Sequence, residues 1–103
     1  MSSIENEIKI LLNLFNSSKF DILISKAKKL IKKTPEYLIL YNILGSAYQN
    51  IGDLKLAKET FAKGHKMDPS NIAIMNNLAN VYKNTDEINL SEDLFDKIIK
   101  IVT

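Results

Sequence analysis

A repeat at fixed spacing constrains a fold more than any other single feature, because every copy must build the same local unit and bury its apolar face on a neighbour. This chain has one. Pro35 and Pro69 lie 34 residues apart, and the same step carries Leu44 to Leu78, Tyr48 to Tyr82 and Phe61 to Phe95. It also carries Gly45 to Ala79 and Ala57 to Ser91, small residue to small residue. Independent matches at one offset define a 34-residue period, and 103 residues hold close to three copies.

Within each copy the apolar residues recur at helical spacing. Ile4, Ile8, Leu11, Leu12 and Phe15 form one such run, and Ser2 with Glu5 has the spacing of a capping box at its start. Asn16-Ser17-Ser18 interrupts the run, and Phe20 to Ile31 makes a second amphipathic segment. Thr34-Pro35 and Asp68-Pro69 each set a polar residue before proline, where one helix stops and the next can begin. Gly52-Asp53 and Thr85-Asp86 mark turns inside the second and third copies. The pattern predicts six helices and no strands, each helix about 12–14 residues long.

These letters resemble the tetratricopeptide repeat, whose pattern runs W-x₂-L-G-x₂-Y, then A-x₃-F, then P. The middle copy reads Tyr41-x₂-Leu44-Gly45-x₂-Tyr48, Ala57-x₃-Phe61 and Pro69, with Tyr in place of Trp. The third reads Met75-x₂-Leu78-Ala79-x₂-Tyr82 and Ser91-x₃-Phe95, with Thr103 where the proline would fall. The first is degenerate, with Glu7, Ile10, Leu11 and Leu14, then Leu23 and Ala27, closed by Pro35. The resemblance implies one all-α domain over 1–103, a right-handed α-α superhelix of three helix–turn–helix hairpins at approximately 4–37, 38–71 and 72–103. In such hairpins Gly45 with Ala57, and Ala79 with Ser91, let paired helices approach closely. Tyr48, Phe61, Tyr82 and Phe95 then fill the space toward neighbouring repeats.

Composition narrows the chemistry. The chain has no cysteine, which removes disulfides, thiolate metal sites and cysteine nucleophiles. The start, Met1-Ser2-Ser3-Ile4-Glu5, is not that of a signal peptide, and no apolar run approaches the roughly 18 residues of a membrane span. A reducing, cytoplasmic setting is the default expectation. Net charge is only +2, and all 14 basic residues are lysine, so nucleic acid and membrane are not expected partners. Lys, Ile and Asn together supply 40 of 103 positions, a bias of AT-rich coding that discourages assigning a role to each one. The single histidine, His65, has no nucleophile to activate and reads as a packed residue at a repeat junction. Asp86, Glu87, Glu92, Asp93 and Asp96 read as a solvated acidic face; no catalytic residue, cofactor or metal is expected. Lys26, Lys28, Lys29, Lys32 and Lys33 crowd one helix and read as a solvated basic face.

The family resemblance implies that the first helix of each repeat lines a concave groove for a protein segment or extended peptide. Carried over by the period, that wall holds Ile8, Leu12, Phe15 and Asn16; then Asn42, Ser46, Gln49 and Asn50; then Asn76, Asn80, Lys83 and Asn84, with Asn77 at its edge. Amides can donate to and accept from a peptide backbone with little regard to its sequence. The carboxylate clamp of chaperone-binding relatives is not expected, since its places hold Ile8, Leu12, Ile43, Ala73 and Asn77. Nor is the asparagine ladder of O-linked N-acetylglucosamine transferases, of which only Asn77 matches while Lys9 and Ile43 do not. The leading expectation is a non-catalytic protein-binding module. Alternatives are the N-terminal docking segment of a larger glycosyl- or sulfotransferase, and a self-associating scaffold. For self-association the candidates are Ile99, Ile101 and Val102, apolar residues on the last helix whose partners would belong to a fourth repeat.

Overall fold

The computed structural model describes residues 3–103 and contains six helices and, among the described residues, no strand. They are α1 (Ile4–Asn16), α2 (Phe20–Lys33), α3 (Leu38–Asn50), α4 (Leu54–Met67), α5 (Ile72–Asn84) and α6 (Ile88–Val102). They pack as successive hairpins: α1 on α2, α3 on α4, α5 on α6. The second helix of each of the first two hairpins also packs on the first helix of the next, and α1, α3 and α5 lie side by side. The result is a short helical solenoid with principal extents of 43 × 26 × 21 Å.

The period is written in the backbone as well as in the letters. Ser18, Gly52 and Asp86 stand 34 apart and all adopt left-handed φ, at +56°, +83° and +61°. Each closes a Schellman turn after α1, α3 or α5. The amides of Lys19, Asp53 and Glu87 donate to the carbonyls of Leu14, Tyr48 and Tyr82 at 2.8–2.9 Å. Glycine adopts such a φ freely, whereas Ser and Asp do so at a steric cost. The turns between hairpins are different. Thr34 and Asp68 end α2 and α4, and their amides bond to the Leu30 and Gly64 carbonyls. Tyr41 reaches back from α3, its hydroxyl donating to the Pro35 carbonyl at 2.9 Å.

The helix starts are capped by short polar side chains where the sequence offers one. Ser3 accepts from the Asn6 amide, Asp53 from Leu56 and Asn71 from Ile74. The expected cap at Ser2 lies outside the described residues; the cap is Ser3, one residue later, so the spacing to Glu5 is not that of a capping box. Within the hairpins, small residues work as expected. A Cβ on Gly45 would stand 2.5 Å from the Phe61 ring, so the glycine is what admits Phe61, itself fully buried, against α3. In the third hairpin the buried Ser91 hydroxyl donates to the Ala79 carbonyl at 2.8 Å, a bond that needs the same close approach. Of the four expected aromatics, Phe61 and Tyr48 are buried, while Tyr82 and Phe95 are half-buried against the core.

Candidate functional site

Two broad faces could meet a partner. The first is the wall formed by α1, α3 and α5. Its residues fall in rows across the three helices: Ile8, Asn42, Asn76; then Leu12, Ser46, Asn80; then Phe15, Gln49, Lys83. Each row runs from apolar on α1 to polar on α5. Leu12 is exposed, but Ile8 and Phe15 pack partly on the core, and Phe15 meets Phe20 edge to face with centroids 5.4 Å apart. The apolar end is therefore partly spent on packing.

The amides on this wall divide by what they already hold. The Asn77 amide donates to the Asn42 Oδ1 at 2.6 Å, joining α5 to α3 through side chains. Asn50 folds back, its amide donating to the Ser46 carbonyl at 2.8 Å. Asn16, Asn76 and Asn84 are exposed and Asn80 is half-buried, and none forms an intramolecular side-chain hydrogen bond among the described residues. Lys83 is exposed on the same helix. Asn76, Asn80 and Lys83 thus form an unengaged strip along α5, and the link between Asn42 and Asn77 holds that strip against α3.

The second face belongs to α2, α4 and α6. Here the backbones of α2 and α4 stand apart, and an open groove of about 730 Å³ runs between them with α3 as its floor. Tyr41, Leu44 and Tyr48 form the floor, and Ile24, Ile31 and Leu56 are on the walls. Lys28, Lys29 and Lys32 edge it on α2 and Lys63 on α4, with Asp21 and Glu59 the acidic members. Burial, and then the nearby Asp53 carboxylate, raise the Tyr48 phenol above its ordinary value, so it stays protonated. In the sequence the α2 lysines read as a solvated face. All five are exposed, but three of them border an apolar depression, which no letter pattern announces.

The remaining candidates are placed as follows. His65 is half-buried on α4 near α6, and its Nδ1 is buried without a hydrogen-bond partner among the described residues. Burial, with Lys97 adding, lowers its pKa below the ordinary 6.5. Among the described residues no group of three or more histidine or acidic side chains could hold a metal. No helix there is long and apolar enough to cross a membrane. Ile99, Ile101 and Val102 are 57%, 46% and 62% exposed on the last turn of α6, while Phe95 and Ile98 pack partly on the core.

Comparison with known proteins agrees with this architecture. Residues 38–71, the α3–α4 hairpin and the turn after it, match the tetratricopeptide repeat family model. MamA from Desulfovibrio magneticus RS-1 superposes with a TM-score of 0.87 at 18% identity, over 92% of this chain and 54% of that one. The type III secretion translocator chaperone SycD of Yersinia enterocolitica, in an alternative dimer, gives 0.90 at 18% identity, over 98% and 78%. The second tetratricopeptide domain of Spaghetti (RPAP3), bound to the HSP90 peptide SRMEEVD, gives 0.87 at 14% identity, over 93% and 89%. At these identities the likeness is one of fold, and the chain spans about half the length of the MamA structures. No curated protein sequence matches it.

Proposed function

We propose that this chain, a small tetratricopeptide-repeat domain, is a non-catalytic module that binds an extended segment of another protein along the wall of α1, α3 and α5. The observation that carries this is the strip of unengaged polar groups on α5. Asn76 and Asn80 lie one helical turn apart with Lys83 beyond them, braced on α3 by the hydrogen bond between Asn77 and Asn42. Two free amides at that spacing can pair with a peptide backbone, and the braced helix loses little freedom on binding. That the Spaghetti domain of the same fold holds a peptide supports the general mode. The residues that would grip a terminal carboxylate are different here, so an internal segment is the expected ligand. The cytoplasm is the setting this proposal assumes.

The test is a display library of unstructured peptides selected on the intact chain. Selected peptides should bind Asn76→Asp with Asn80→Asp roughly tenfold more weakly, about 1–2 kcal/mol, with unchanged melting. Equal binding by the double variant would remove the wall from the proposal.

A second reading, self-association through α6, is favoured by the difference between the ends of the stack. The period maps Ile99 onto Ile31 and His65, which are half-buried where the next hairpin covers them. At the opposite end, Asn6, Lys9 and Asn13 occupy the places of buried Leu40, Ile43 and Ala47, and all three are exposed. One end is thus solvated and the other apolar, which favours a two-fold pairing of α6 ends over a head-to-tail chain. Sedimentation equilibrium should show a dimer that Ile99→Lys with Val102→Lys abolishes; a monomer indifferent to the change ends this reading.

A further inference from the structure

We propose that the groove between α2 and α4 is a second docking site, for an acidic amphipathic helix of a partner protein. It lies on the opposite side of α3 from the wall above and is independent of it. A repeat array offers an internal control, because the same kind of gap recurs one period later between α4 and α6. In that later gap the place of Ile24 is taken by Lys58, whose Nζ donates to Glu87 Oε1 at 2.8 Å at the start of α6. That hydrogen bond, partly offset by desolvation, raises the Lys58 pKa, so the ammonium stays charged across the gap. At the start of α6 the later gap is thus bridged by the chain's own cation and anion.

One period earlier the corresponding residues are Ile24, on the groove wall, and Asp53, the N-cap of α4, and no bridge joins them. Apolar surface on Ile24, Ile31 and Leu56 is left open instead. The rim is also uncompensated. Lys28, Lys29, Lys32 and Lys63 face two carboxylates, and the only ion pair among the described residues is the Lys58–Glu87 pair elsewhere. Lys28 with Lys32, and Lys29 with Lys33, are like charges one turn apart on α2 and repel one another. A ligand bringing carboxylates would relieve that repulsion and bury the apolar walls at once.

The shape selects a helix. The walls are helices of 14 residues each, α3 lies beneath, and the described residues present no strand edge for an extended segment to join. An amphipathic helix laid in the gap would set its apolar stripe on Ile24, Ile31 and Leu56 and its flanking Glu or Asp residues against the lysines.

The probe is a fluorescent designed peptide with Leu at helical i, i+3, i+7 spacing and Glu flanks, titrated against the intact chain. A matched peptide with Lys flanks is the control. The Glu peptide should bind, at least about tenfold more tightly than the Lys peptide, and weaken as salt rises from about 50 to about 500 mM. Methyl shifts should move at Ile24, Ile31 and Leu56. Lys28→Glu with Lys32→Glu, two exposed changes that leave the core intact, should reverse the preference. Ile24→Lys, which imports the residue that crosses the later gap, should abolish binding while helicity is retained. Failure of the Glu peptide to bind, equal binding of both peptides, or shifts confined to Asn42, Asn76 and Asn80 would overturn the proposal.

Discussion

The first and second hairpins follow the same path with their large and small residues exchanged. In the second, the small residues are Gly45 and Ala57 and the large one is Phe61. At the corresponding places the first has Leu11, Leu23 and Ala27. All six are buried, so the space is filled both times. The spacing differs, however: α3 and α4, with glycine between them, approach far more closely than α1 and α2, where Leu11 intervenes. A repeat therefore conserves filled volume and turn geometry more strictly than identity at any place. The first copy looks degenerate only in its letters, because a wider pair of helices needs a different distribution of bulk.

The largest effect should come from removing the bulk on which the close hairpin depends. Phe61→Ala leaves a cavity facing Gly45 and should cost about 3–5 kcal/mol by denaturant melting. A loss under about 1 kcal/mol would mean that α3 and α4 close up as freely as a wider pair. Next is Gly45→Leu, which puts the residue of the first hairpin into the second. Its Cβ alone would sit 2.5 Å from the Phe61 ring, so α4 must retreat, at about 1–3 kcal/mol. Unchanged melting would show that hairpin spacing is not set at this contact.

What the sequence made legible follows the same division. Helix number, helix ends near the prolines and the close contact at Gly45 could be read from Pro35, Pro69 and the small residues, because those letters act locally. The left-handed turns at Ser18 and Asp86 could not, since neither letter demands that conformation; only the step from Gly52 gives them away. The family resemblance, carried along the period, puts Asn76, Asn80 and Lys83 on one wall, but the Asn42–Asn77 bond joins residues 35 apart, off the period, and depends on how α3 and α5 are set. The groove beside α2 was invisible for a related reason. It exists because the backbones of two helices stand apart, and separation leaves no mark in the letters.

A smaller effect, of opposite sign, compares a third pair of places. Ile31 in the first hairpin becomes His65 in the second, with a buried Nδ1 that has no hydrogen-bond partner among the described residues. His65→Ile should stabilise the chain by about 1 kcal/mol, the size of an unsatisfied buried polar atom. It should also change the pH profile. Burial and Lys97 lower the histidine's folded pKa, so the unfolded chain takes up the proton first. Stability contributed by neutral His65 is complete above its ordinary 6.5 and is lost as pH falls toward the lowered folded value. Melting of the parent chain should decline over that window and melting of His65→Ile should not; parallel profiles would mean that His65 is solvated.

The smallest effect isolates the one feature both hairpins share without change, the turn. Ser18 and Gly52 hold the same left-handed φ, yet serine has a Cβ that crowds the following carbonyl there and glycine does not. A Cβ built on Gly52 meets nothing within 4 Å, so Gly52→Ser tests the backbone conformation with no clash at Cβ. It should cost about 1 kcal/mol, offset in part because serine has less freedom to lose from the unfolded chain. The reverse change, Ser18→Gly, should gain less, about 0.5 kcal/mol, since the added unfolded-state freedom works against it. The two values need opposite signs. If Ser18→Gly destabilised the chain, the serine side chain would have to be holding the first turn in a way that its exposed position does not suggest, and the equivalence of the two turns would fail.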